Sequence, residues 1–255
     1  MNYWSGKVAI VTGASAGIGL AISKELAKYG INVIGLARSM DELVEASIMI
    51  GEYFFPFQCD VTDEDEILVA FTVIEEKFGG VDILVNNTGI INYIHVMDSD
   101  TDEIHNAINT NLLAPTILAR EAMNSIRKRD ARGHIINISG TPGLYLEAES
   151  VPMGMYGPSK CGLRALGVEL RREIAQSKLN IKVTTIIPGF VQLDMLTESY
   201  NFVGIPLDDL LTCTDIAETV ICVLGTSNTV EISEITVLSQ GMGSNAVIPP
   251  FLLPD

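Results

Sequence analysis

The sequence is poor in the features that build several whole classes of protein. It holds four cysteines, Cys59, Cys161, Cys213 and Cys222. They form no CxxC pair and have no histidine partners at zinc spacing, so neither a disulfide framework nor a metal site is expected, and a reduced, cytoplasmic setting fits. Cations are scarce: 16 Lys and Arg stand against 32 Asp and Glu, a formal net charge of −16. Such a surface repels nucleic acid and anionic membranes unless its cations cluster, and the longest basic run is only Arg127-Lys128-Arg129. No apolar run approaches the ~18 residues of a membrane-spanning helix. The opening Met1-Asn2-Tyr3-Trp4-Ser5-Gly6-Lys7 has no charged-then-apolar leader. A soluble protein with no membrane span and no removed segment is expected. Internal repeats, low-complexity tracts and linkers are missing too, which favours a single domain over 1–255.

What is present is apolar matter, 47% of 255 residues, enough to bury a substantial core. Short β-branched runs alternate with longer stretches of helical period. The expected strands are Lys7–Thr12, Asn32–Ala37, Tyr53–Gln58, Asp82–Asn86, His134–Ser139, Lys182–Ile187 and Ile235–Leu238. Helical stretches include Gly17–Tyr29, Glu64–Phe78, Thr101–Arg129 and Tyr156–Ser177. Near-continuous apolarity is what a parallel sheet covered on both faces requires. Repeated β-α-β alternation therefore predicts an α/β fold, a Rossmann-type doubly wound parallel sheet of about seven strands. Within it, 1–145 reads as a nucleotide-binding half and 146–255 as a catalytic and substrate half. Thr141–Met155 and Gln192–Cys213 break the pattern after strands, at the sheet end where ligand-contacting loops sit. The second of these is apolar, which suits a lid over an apolar substrate or a lid docked on its own core.

The first strand runs into Thr12-Gly13-Ala14-Ser15-Ala16-Gly17-Ile18-Gly19 and then a helix. Glycines there let the backbone approach a pyrophosphate, whose charge is met by N–H groups at the helix N-terminus. A glycine-rich stretch alone is a weak signal. Placed between strand and helix at the start of an alternating fold, it reads as dinucleotide binding. The second strand ends at Arg38, where an Asp or Glu would repel a 2′-phosphate. A guanidinium can pair with that phosphate through two parallel hydrogen bonds, with Ser15 and Ser39 as hydroxyl donors, so NADP(H) is expected over NAD(H). A solvated surface arginine is the alternative.

The sequence then resembles the short-chain dehydrogenase/reductase family from Lys7 to about Gly241. The resemblance rests on Thr12-Gly13-x-x-x-Gly17-Ile18-Gly19, Asp60-Val61, Asn86-Asn87-Thr88-Gly89, Asn111, Tyr156-x-x-x-Lys160 and Pro188-Gly189-x-Val191. Within the family, Trp4-Ser5-Gly6-Lys7-Val8, Gly35-Leu36-Ala37-Arg38 and Gly133-His134-Ile135-Ile136 are similar to insect farnesol dehydrogenases and related NADP-dependent reductases. The resemblance implies that Asp60 receives the adenine amino group beside Val61, and that Asn87, Thr88 and Gly89 line the nucleoside side. It implies Pro188, Gly189 and Val191 at the nicotinamide, Asn111 holding a water next to Lys160, and a homodimer or homotetramer assembled through the helices of Thr101–Arg129 and Tyr156–Ser177. The Tyr156/Lys160 pair also makes sense on its own terms. Four residues apart on a helix shares one face, and an ammonium beside a phenol favours the phenolate, which suits Tyr156 to take or give an alcohol proton.

Three positions depart from the family's pattern, one of them Thr88, which stands where the Asn-Asn-Ala-Gly turn has alanine and adds a hydroxyl and bulk beside the cofactor. The family's catalytic serine closes the fifth strand three residues before a glycine, and Ile138-Ser139-Gly140-Thr141-Pro142-Gly143 puts Gly140 there, with Ser139 one residue early. Strand side chains alternate, so Ser139 is aimed away from the site unless the strand end bulges; a gapped alignment instead makes Ser139 the catalytic serine. The family's nicotinamide-holding threonine is replaced by Leu193. Three functions remain open: an NADP(H)-dependent oxidoreductase of a small lipophilic alcohol or carbonyl, an isomerase or cyclase on the same scaffold, and a non-catalytic ligand-binding protein.

Overall fold

The computed structural model describes residues 1–144, 152–193 and 210–240. Among these, strands β1 (Val8–Thr12), β2 (Asn32–Ala37), β3 (Phe54–Gln58), β4 (Ile83–Asn86), β5 (Gly133–Ile138), β6 (Ile181–Pro188) and β7 (Glu234–Val237) form one sheet. Its order is β3-β2-β1-β4-β5-β6-β7, and every pairing is parallel. The chain starts in the middle, steps outward through β2 to β3, then returns to place β4 on the other side of β1. That reversal leaves a crevice beyond the carboxyl ends of β1 and β4, where ligands bind in open α/β sheets.

Helices α1 (Gly17–Lys28), α2 (Met40–Ile50), α3 (Glu64–Phe78), α4 (Thr101–Ile108), α5 (Ala114–Lys128), α6 (Tyr156–Ser177) and α7 (Cys213–Leu224) cover the sheet. Because strand side chains alternate, each strand feeds two cores. On one face Ala9, Val11, Val33, Ile136 and Ile186 pack with Ile22 and Leu26 of α1 and Val220 of α7. On the other, Ile10, Leu84, Ile135 and Val183 pack with Ile67 of α3, Leu118 of α5 and Leu170 of α6. Each such buried branched side chain contributes roughly 1.5–3 kcal/mol. Trp4, the sole tryptophan, is buried at the first core and donates its indole N–H to the Leu224 carbonyl at 2.9 Å.

The expected architecture is the one observed, with strand ends shifted by a residue. One expected element is corrected: the single helix over Thr101–Arg129 is α4 and α5 separated by a π-helical segment, Asn109–Leu113. The segment differs from its flanks only in closing i→i+5 hydrogen bonds, and a run of residues that is helical throughout does not announce that change of hydrogen-bond partner. Helices α2 and α7 begin at sequence-legible caps. Ser39 accepts from the Glu42 N–H at 3.3 Å, and Thr212 with Asp215 forms a reciprocal capping box. Pro56 in β3 costs little because β3 is an edge strand. Among the described residues no helix is long and apolar enough to cross a membrane.

Candidate active site

The turn between β1 and α1 is closed by backbone contacts that leave no room for side chains. A Cβ on Gly19 would lie 2.0 Å from the Gly13 carbonyl oxygen, and Gly17 sits at φ +53°. Thr12 fastens this turn to the neighbouring strand, its hydroxyl accepting the N–H groups of Asn87 and Thr88, both at 2.9 Å. The Asn87 amide donates to the Thr12 carbonyl at 2.9 Å. Asn87 thus holds the glycine turn itself. Ala16 caps α1 with no side-chain acceptor, so the first-turn N–H groups of α1 are left without a side-chain cap, as an anion cradle requires. A dinucleotide pyrophosphate fits that cradle.

Arg38 is exposed at the end of β2. It lines a hollow of about 660 Å³ with Phe57, Gln58, Asp60 and Glu66. Burial alone would raise the Asp60 carboxyl, but hydrogen bonds from the Thr62 N–H and hydroxyl, helped by the Arg38 guanidinium, hold it below its ordinary value. Val61, next to Asp60, is buried. Ser39 spends its oxygen lone pair on the α2 cap and keeps its O–H as a donor.

Across the crevice, α6 begins at Tyr156 and carries Lys160 one turn later. Lys160 is buried, donates to the Ile138 carbonyl at 3.0 Å and lies 5.6 Å from the Tyr156 ring centroid. Burial lowers its ammonium from 10.5 to about 8. A Cβ on Gly89 would meet Lys160 Nζ at 3.2 Å and Asn111 Oδ1 at 3.4 Å, so the β4 turn, the π segment and α6 converge there. The Asn111 amide accepts from the Ile90 N–H at 2.8 Å and donates to the Ile90 carbonyl at 2.9 Å and to Ser159 Oγ at 3.0 Å. Ser159 in turn donates to the Tyr156 carbonyl at 2.7 Å. Sequence reading missed Ser159 and Thr12; the signal for the first was a hydroxyl one turn after Tyr156.

The end of β5 separates the two candidate hydroxyl positions. Ser139 continues the Ile135–Asn137 side of the strand, beneath α6, and donates to the Lys160 carbonyl at 3.3 Å. Gly140 faces the other way: a Cβ there would lie 3.1 Å from the Tyr156 hydroxyl. The structure therefore turns Ser139 onto the helix backbone and sets Gly140 against Tyr156, with no bulge to exchange them. At the end of β6, Pro188 closes the strand and Gly189 donates to the Val237 carbonyl at 2.8 Å. Val191 bridges to Leu211, and Leu193 Cδ2 comes within 3.0 Å of where a Gly17 Cβ would be. The rest of the expected apolar lid, 194–209, lies outside the described residues.

The family profile for short chain dehydrogenase matches residues 7–203. A farnesol dehydrogenase from Aedes aegypti is 37% identical over 246 residues, covering 94% of this chain and 99% of that protein. Dehydrogenase/reductase SDR family member 11 from Homo sapiens is 32% identical over 247 residues, covering 92% of this chain and 95% of that protein. Among solved structures, a metagenomic short-chain oxidoreductase in complex with NADP is similar with a TM-score of 0.77 and 29% identity, over 92% of this chain and 97% of that one. With the glycine cradle and the Tyr156/Lys160 pair facing each other across one crevice, and the family match running through both, the chain belongs to the short-chain dehydrogenases, a family of oxidoreductases.

Proposed function

We propose that the protein is an NADP(H)-dependent oxidoreductase interconverting a lipophilic alcohol, isoprenoid or steroid in kind, with its carbonyl. The observation that carries this reading is the buried Lys160 ammonium 5.6 Å from the Tyr156 ring, across the crevice from the glycine cradle. Gly13, Ser15, Ala16, Gly17, Ile18 and Gly19 hold the pyrophosphate, and Arg38 with Ser39 holds the 2′-phosphate. Asp60 and Val61 border the adenine, Asn87, Thr88 and Gly89 the nucleoside, and Pro188, Gly189 and Val191 the nicotinamide. When bound, the cofactor supplies or accepts the hydride. Tyr156 gives the proton to the carbonyl oxygen in reduction and takes it from the alcohol in oxidation. The Lys160 ammonium favours the phenolate that this exchange creates, and Asn111 fixes the helix start through Ser159. A homodimer or homotetramer through α5 and α6 belongs to the same reading; the two helices flank a hollow of about 290 Å³ lined by Arg120, Met123, Leu166 and Glu169.

Gly140 supports a second reading. With no side chain facing the Tyr156 hydroxyl from β5, the substrate oxygen loses one orienting donor, a loss that costs about 10²–10³ in kcat at comparable sites. A cyclase or isomerase without net hydride transfer, or a non-catalytic ligand-binding protein, suits such a site. Steady-state absorbance at the reduced-nicotinamide band separates the readings. Turnover across a panel of lipophilic alcohols, ketones and quinones, reduced at least about 10²-fold in Tyr156→Phe, supports the oxidoreductase. Product formed without any absorbance change, or wild-type behaviour of Tyr156→Phe, overturns it.

A further inference from the structure

Beneath α6, well below the catalytic crevice, three polar side chains stand side by side on neighbouring strands. Asn86 of β4 is in register with Asn137 of β5, and Asn137 with Thr185 of β6. All three are buried, Asn137 and Thr185 at 0% exposure, on the face whose other strand positions carry Leu84, Ile135 and Val183. A row of polar groups in an apolar layer has to be satisfied internally, since bulk water does not reach it.

The row is only partly satisfied, and Asn86 Oδ1 has no hydrogen-bond partner among the described residues. Asn86 Nδ2 donates to Asn137 Oδ1 at 2.9 Å and toward the Pro115 carbonyl of α5 at 3.4 Å. Asn137 Nδ2 and Thr185 Oγ1 also have no partner among the described residues. Turning the Asn137 amide over does not repair this, because its Nδ2 would then face the Nδ2 of Asn86. Turning both amides would set the Asn86 oxygen against the Pro115 carbonyl. Asn137 therefore turns its Oδ1 to Asn86 and keeps its Nδ2 for the other side.

Directly above that spot α6 carries a glycine. A Cβ on Gly167 would fall 2.7 Å from Thr185 Oγ1 and 3.7 Å from Asn137 Nδ2, so any side chain there would occupy the place these two polar atoms share. Arg171 Nη1, also 3.7 Å away, already donates to the Val183 and Ser233 carbonyls. A donor amide and a hydroxyl able to donate or accept, both buried and unpartnered beneath a glycine, call for a molecule that both accepts and donates at hydrogen-bond range. Water is the chemistry that fits, and buried waters typically take about three such bonds.

We propose that Asn137 Nδ2 and Thr185 Oγ1, under Gly167, hold one buried water molecule that fastens α6 to the sheet. Gly167 lies about two turns beyond Lys160 along the same helix, and Asn86 ties α5 to the same polar row. The row thus sets α5 and α6 against β4–β6, independently of which substrate or cofactor the crevice takes.

Two measurements test this on the full chain. A high-resolution crystal structure is expected to show a water within hydrogen-bond distance of both Asn137 Nδ2 and Thr185 Oγ1; a direct Asn137–Thr185 bond with no water there overturns the proposal. In ¹⁷O relaxation dispersion, which counts long-lived internal waters, Thr185→Val is expected to lose one such water and Thr185→Ser to keep it. An unchanged count in Thr185→Val overturns the proposal. Neither readout depends on turnover, so the outcome is separate from that of the oxidoreductase reading.

Discussion

The two walls of the crevice are made of different material. On the β1–α1 side the site is backbone: glycines that admit no Cβ, uncapped N–H groups, and a threonine and an asparagine that stitch β1 to β4. On the β5–α6 side it is side chains, Asn111 of the π segment with Tyr156 and Lys160 of α6, gathered beside Gly89 of the β4 turn. A backbone site tolerates only glycine and is written into consecutive residues. A side-chain site depends on which way each strand end and helix start points, and a single residue of offset changes its chemistry, as Ser139 and Gly140 demonstrate.

That contrast can be broken from either wall. The largest effect is expected on the side-chain wall. Gly140→Ser returns a hydroxyl beside Tyr156, with the tyrosine yielding a few tenths of an ångström to the new Cβ, and should raise kcat by about 10²-fold. A Gly140→Ser enzyme no faster than wild type on any substrate would show that this position does not limit the chemistry.

Next comes Lys160, whose value in the folded chain, about 8, lies below its ordinary 10.5. Between those values the unfolded chain binds more protons than the folded one, so raising pH stabilises the fold through this group. Relative to Lys160→Met, wild-type stability in urea should climb by roughly 3 kcal/mol from pH 7 to above pH 10. A constant difference across that range would mean the ammonium carries no burial penalty.

The smallest effect belongs to the nucleotide wall. Arg38→Ala should weaken NADPH binding about tenfold while leaving NADH unchanged, because the guanidinium is exposed and screened. Retained preference for NADPH, measured by fluorescence titration of both cofactors, would remove Arg38 from the specificity.

The legibility of these walls in the sequence follows the same division. Gly13, Gly17 and Gly19 announce themselves because strand, turn and helix follow one another along the chain. Tyr156 and Lys160 are readable as one helix face. The π segment that presents Asn111 is not, since a change of hydrogen-bond partner leaves no compositional trace. Nor is Ser159, whose role appears only once α6 lies against Asn111. The polar row of Asn86, Asn137 and Thr185 is invisible for a further reason. Its members are far apart in the chain, and only strand register makes them neighbours.

The sequence by itself determined the α/β alternation, the glycine turn, the cationic end of β2 and the placing of Tyr156 and Lys160 on one helix face, because each is a local pattern with a local physical cause. It also determined that any anion the protein holds is held locally, against a net charge of −16. Tertiary structure alone decided which side of β5 faces Tyr156. Pleat alternation sends Ser139 under α6 and Gly140 to the crevice, and the placement of α6 over that strand end turns a one-residue offset into the presence or absence of a hydroxyl beside Tyr156.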